Sequence, residues 1–198
     1  METIILAALV VTSLVALAFI LERGLVLRRS RVIPEPVVRE LETSSAGINT
    51  DSLQQLCATH PSVLGNLLQV VITSHSTWSK QDVAEAVQAR ARRELVKLER
   101  GLVVLEIVVG IAPLLGLVGT IYGMMTLFKG LGQNGMNDHA ALAGGVAVIL
   151  QSTMLGLLIA IPSLVAWSYY SKKIETLAVE MESLCGEFLN RQYSQSEK

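Results

Sequence analysis

Four polar residues stand inside otherwise apolar stretches of the sequence. Thr120 lies in "APLLGLVGTIYGMM", residues 112–125, and Gln151, Ser152 and Thr153 lie in "VILQSTMLGLL". Hydroxyls and an amide can hold water and relay hydrogen bonds, but they do not titrate near neutral pH. The chemistry open to them is passage of a proton or water, not acid–base catalysis. Thr120 is twenty residues beyond Arg100, and Thr153 is nineteen before Lys172. At about 1.5 Å per helical residue the two hydroxyls reach nearly the same height between basic flanks, with Gln151 close to that level. A polar layer at one depth suits a hydrated path. A plainer reading stays open: each hydroxyl bonds a backbone carbonyl at a helix–helix contact.

The missing groups are equally informative. No carboxylate, lysine or histidine occupies the central part of either stretch. A proton-coupled protein usually needs an ionisable group within the membrane, so if this chain handles protons the titrating group must come from elsewhere. Glu106 lies near the start of its stretch, close to one edge. Cys57 and Cys185, like His60, His75 and His139, match no metal-ligand spacing. No phosphate-binding glycine loop and no nucleophile–base pairing is visible, which argues against an enzyme and against a metal or cofactor. A formal net charge of −1 gives no general attraction to nucleic acid.

These residues need elements to hold them. Of 198 residues 51% are hydrophobic, and three stretches reach the roughly 20 apolar residues that a bilayer core requires. The organisation expected is a first transmembrane helix over 1–28, a helical section over 29–100 and a second transmembrane helix over 101–128. A short loop over 129–142, a third transmembrane helix over 143–171 and a C-terminal helix and tail over 172–198 complete the chain. Glu2 precedes the first apolar run, whereas Arg23, Arg28, Arg29 and Arg31 follow it. That order is the reverse of a cleaved signal peptide and predicts a retained anchor. The remaining basic residues concentrate in 29–100 and at Lys172 and Lys173, while the 129–142 connector holds only Lys129. By the positive-inside rule the N-terminus and the connector are expected on the outer side, and the 29–100 section and C-terminus on the cytoplasmic side.

The fold class is therefore an all-α membrane protein with three spans and long cytoplasmic helical extensions. Val83, Val87, Ala91, Leu95, Leu98 and Leu102 recur every three or four residues, which predicts one continuous helix rising into the second span. Ile174, Leu177, Met181, Leu184 and Phe188 form a similar seam beyond the third. Residues 34–79, broken by "PEP", "SSAGINTDS" and "THPS", read as short helices of a small domain.

Within the spans, small residues repeat at a spacing of four: Ala112, Gly116 and Thr120; Gly119 and Gly123; Ser152, Gly156 and Ala160. Such stripes let helix backbones approach closely in lipid. Pro113 and Pro162 cannot complete the local hydrogen-bond ladder and favour bends.

At this point "GIAPLLGLVGTIYGMM", with "GGVAVILQSTMLGLLIAIPSLVAW" after a short outer loop, resembles the ExbB/TolQ/MotA proton-channel family, the ExbB branch most of all. "AFILERGLVLRR" and "LCATHPSVLGNLL" extend the likeness over most of the chain. The resemblance implies a homopentamer around a central pore in the inner membrane of a Gram-negative bacterium. An ExbD-like single-span partner would supply the membrane Asp, and the assembly would use proton flow to drive a TonB-like protein for outer-membrane transport. It maps pore threonines onto Thr120 and Thr153; Gln151 and Ser152, adjacent to Thr153 in sequence, are expected with them as pore-lining residues of the proton path. Protons are then the coupling ion, no cofactor is implied, and membrane phospholipid is an expected contact. Many ExbB relatives carry a third-span Glu at the position of Val148, so any role of that Glu does not carry over. The alternatives are a TolQ-like energiser of envelope integrity or another stator-type motor and, from a different class, a non-conducting membrane scaffold.

Overall fold

The computed structural model describes residues 2–43, 50–74, 77–134 and 139–196, and every element among them is an α-helix. In chain order these are α1 (Glu2–Val26), α2 (Arg29–Val32), α3 (Glu35–Thr43), α4 (Thr50–Thr59), α5 (Val63–Ser74), α6 (Lys80–Glu99), α7 (Leu102–Asn134) and α8 (His139–Ser196). Three of them are long and apolar enough to cross a membrane, over Thr3–Val26, Leu102–Gly130 and Gly144–Ser194. The chain is a multi-pass, all-helical membrane protein.

Two compact units emerge, one from residues 1–23 and 101–169, the other from 24–100 and 170–198. The first holds most of α1, all of α7 and the first half of α8. Its centre is a junction of small and branched side chains: Ala16 from α1, Val108 and Ala112 from α7, and Ala160 from α8, with Ile159 against them. Small residues bring three backbones together where lipid supplies no hydrophobic drive for helix association. Most large side chains on the outer faces, such as Leu14, Leu158 and Leu164, are exposed, as a surface solvated by acyl chains requires.

The second unit is a conventional aqueous helix cluster. Pro34 ends the α2 segment, and Pro36 falls in the first turn of α3, where a missing N–H is harmless. Ser62 starts α5 by accepting a bond from the Gly65 N–H at 3.1 Å, and Ser79 starts α6 by accepting from the Asp82 N–H at 3.2 Å. α5 packs against α4 and α6, and α3 against α4. The core collects Leu64, Leu67, Leu68 and Val71 of α5, Val83 and Leu98 of α6, and Ile174, Leu177, Met181, Cys185 and Phe188 of α8. The C-terminal seam is thus present, with Cys185 rather than Leu184 taking the fourth buried position.

Two helix limits differ from the sequence expectation. The continuous helix expected from residue 80 into the second span is interrupted: α6 ends at Glu99 and α7 begins at Leu102. Arg100 keeps helical angles (φ −50°, ψ −35°), so the interruption centres on Gly101. A side chain at Gly101 would overlap the guanidinium of Arg23 from α1. The apolar stripe runs through the break because it records burial and not backbone continuity. In the connector, residues 129–134 and 139–142 are helical and extend α7 and α8. Residues 135–138, and the "SSAGIN" break at 44–49, lie outside the described residues.

Within α6 the stripe also turns. Val83 and Leu98 are buried, but Val87, Ala91 and Leu95 are only half-buried, and Glu94 is buried instead. The Glu94 carboxylate meets Lys97 Nζ at 2.9 Å and Arg90 Nη2 at 3.3 Å. Two cations from the same helix make burial of this charge tolerable.

Candidate functional site: a threonine pair between two membrane helices

The site is made where α7 and α8 touch. Gly156 lies so close to α7 that an added Cβ would stand 2.5 Å from the Ala112 carbonyl oxygen. At Gly116 the same addition would stand 2.9 Å from both the Ser152 carbonyl oxygen and the Thr153 Cα. Gly119 faces the Ser152 side chain, and Gly123 faces Ile149. Each glycine of the stripe therefore admits a neighbouring backbone or side chain that even alanine would push away. Ala112 and Ala160 are buried at the same junction.

That approach brings Thr120 and Thr153 together. The Thr120 hydroxyl donates to the Leu117 carbonyl on its own helix at 2.7 Å. The Thr153 hydroxyl reaches across to α7, with the Gly116 carbonyl at 3.3 Å and Thr120 Oγ1 at 3.5 Å. A hydroxyl has one proton and two lone pairs. Thr153 can thus donate to Gly116 or to Thr120, and Thr120 can accept because its own proton is engaged. Lone pairs remain on both oxygens, so the pair can accept a bond from water or an acid without breaking those it has. Both threonines are half-buried.

The other polar residues are placed differently. Ser152 is half-buried and packs on Gly116 and Gly119. Gln151 is exposed. Two helical positions before Thr153, it points about 200° away round α8, and the structure does not bring it to the threonine pair. Helix α7 continues through Pro113 and α8 through Pro162. Each ring removes one N–H, leaving the Val109 and Leu158 carbonyls without their usual partner four residues on. Val148 is exposed on α8 at 56% of its surface.

No group of three His, Cys, Asp or Glu side chains able to hold a metal occurs among the described residues. Sequence reasoning passed over Arg23 against Gly101 and the buried Glu94. Both depend on which residues share a turn across separate helices, and neither has a motif.

The geometry is a pair of hydroxyls in contact between two closely packed membrane helices. A sequence model of the MotA/TolQ/ExbB proton channel family matches residues 59–183. The chain belongs to this family. That is a channel family, not an enzyme class. Relatives include the Tol-Pal system protein TolQ of Pseudomonas aeruginosa, 26% identical over an alignment spanning 93% of this chain and 84% of that protein. The biopolymer transport protein ExbB of Aquifex aeolicus is 31% identical, over 50% of this chain and 66% of its own length. ExbB of Helicobacter pylori is 35% identical, over 41% of this chain and 56% of its own length. The matched region of the family model contains α5, α6 and α7 and most of α8, hence both threonines.

Proposed function

We propose that this chain is the proton-channel subunit of an inner-membrane motor. It would work with an ExbD-like single-span partner and energise a TonB-like protein for outer-membrane transport. The observation that carries the reading is the Thr120–Thr153 contact inside a matched proton-channel family sequence. In this reading five copies surround a pore, the N-terminus is periplasmic, and residues 24–100 and 170–198 are cytoplasmic. The central positions of α7 and α8 carry hydroxyls and no ionisable side chain, so the partner's membrane Asp binds and releases the proton. Thr120 and Thr153 offer that carboxyl oxygens to bond with, and so lower the cost of an acid crossing the apolar layer. One charge moved through 100 mV releases about 2.3 kcal/mol, and a few protons suffice to bias a rotation or tilt of the central helices.

A second reading has its own support. The alignment with TolQ extends over nearly the whole chain, whereas those with the two ExbB proteins cover half or less. A TolQ-like energiser of envelope integrity would use the same proton path and a different driven protein. The assembly is tested by native mass measurement of the complex purified with its single-span partner. Five copies to two supports the reading, and a chain that purifies as a monomer without the partner refutes it. Depleting the chain in its host then separates the outputs: loss of TonB-dependent uptake marks the first reading, and detergent sensitivity with intact uptake marks the second.

A further inference from the structure

Among the described residues Glu106 is the one carboxylate of residues 101–169; it lies four residues inside the start of α7 and is exposed. No hydrogen bond or ion pair engages it among the described residues. The other charged residues of its unit are Glu2, Glu22 and Arg23 at the ends of α1, Lys129 near the end of α7, and Asp138, outside the described residues. A carboxylate so placed cannot face acyl chains while charged. Intramembrane ionisable groups turn instead to an aqueous cavity or the interior of a bundle.

The direction it faces is fixed by the helix. At about 100° per residue, Gly110, Pro113, Leu117 and Thr120 all fall within about 40° of the direction of Glu106. Helix α7 therefore carries Glu106 and Thr120 on one line, separated by about 21 Å. The intervening positions leave room along it. A Cβ added at Gly110 meets nothing within 4 Å. Pro113 frees the Val109 carbonyl, one residue off the line, as a water-binding acceptor. Leu117 is exposed at 50% of its surface.

We propose that Glu106 is a second proton-handling residue of this chain, ending a hydrated face of α7 that begins at Thr120 and runs past Gly110. It takes up the proton released beyond the threonine pair and passes it to water at the α6-side end of the membrane. In a ring of copies the same face presents a ring of carboxylates, selective for cations. This role rests on the proton-channel reading above and adds a titrating site within this chain to the one that the partner supplies.

The test uses the full chain with its partner in membrane vesicles, and reads two quantities. Water access is read with a membrane-impermeant methanethiosulfonate reagent on Glu106→Cys, Gly110→Cys and Ile111→Cys, in a chain with Cys57→Ser and Cys185→Ala. Ile111 is exposed but lies about 140° away round α7. Positions 106 and 110 should react about tenfold faster than 111, because only a hydrated thiol ionises. Equal rates at 106 and 111 overturn the hydrated face. Proton flux is read on chains with native cysteines: Glu106→Gln should reduce it about tenfold or more, with Glu106→Asp retaining most of it, as for a proton-transfer group. Normal flux in Glu106→Gln overturns the role of Glu106 and leaves the channel reading standing. Absence of flux from the unmodified complex overturns the channel reading itself, and the role of Glu106 with it.

Discussion

Thr120 and Thr153 show how a residue can satisfy packing and remain open to chemistry. The Thr120 proton is engaged by the Leu117 carbonyl, and the Thr153 proton has two acceptors on α7. Neither oxygen is saturated as an acceptor. Their common depth was legible in the sequence, because both helices are flanked by basic residues at one end, but that they face each other was not. Gln151 shared that depth but not that direction, and depth says nothing about the angle round a helix. The same distinction governs the cysteines. Burial pushes the Cys185 thiol up to about 12, while Cys57 is only half-buried and its thiol is raised by the same cause. Alkylation requires the thiolate. Iodoacetamide at pH 8 should modify Cys57 first and leave Cys185 unmodified until the unit is denatured, as intact-mass measurement would show. Early labelling of Cys185 would contradict its place in the core.

Helices were the most legible feature at the scale of elements, since apolar length and three-to-four periodicity are local properties. The interruption at Gly101 was not, nor was the close approach there of the Arg23 guanidinium from another helix. Nor was burial of Glu94, which depends on Arg90 and Lys97 standing one turn to either side. The small-residue stripe carries a sharper expectation. Gly156→Ala should force α7 and α8 apart and cost about 1–3 kcal/mol, the usual penalty of overpacking. Gly144→Ala, where a Cβ meets open space, should be neutral. Thermal unfolding in detergent checks both, and equal midpoints would contradict the close backbone approach. In the second unit, Arg191 Nη1 donates to the Leu41 carbonyl at 2.8 Å, near the end of α3. A cation closing a helix C-terminus contributes about 1 kcal/mol. Arg191→Ala should lower stability by that amount, and Arg191→Lys should recover part of it, read by the same melt.

For the whole molecule, the division into a lipid-adapted unit and a water-adapted unit follows from side-chain size and polarity. In residues 1–23 and 101–169 small residues make the tightest helix contacts and most large apolar side chains are exposed, although Leu9 and Leu105 are buried; in residues 24–100 and 170–198 the large apolar residues form the core. Composition made the first pattern readable, while the short helices α2–α5 could be placed only once their shared core was seen. This chain carries no acid at the level of the threonines, so the proposed proton path requires a second protein. The most direct test is proton flux into vesicles holding this chain with its single-span partner. The account predicts measurable flux from the unmodified pair, abolished by Asp→Asn in the partner's membrane helix and reduced about tenfold or more by Thr153→Val. Flux that is unchanged by both substitutions would contradict it.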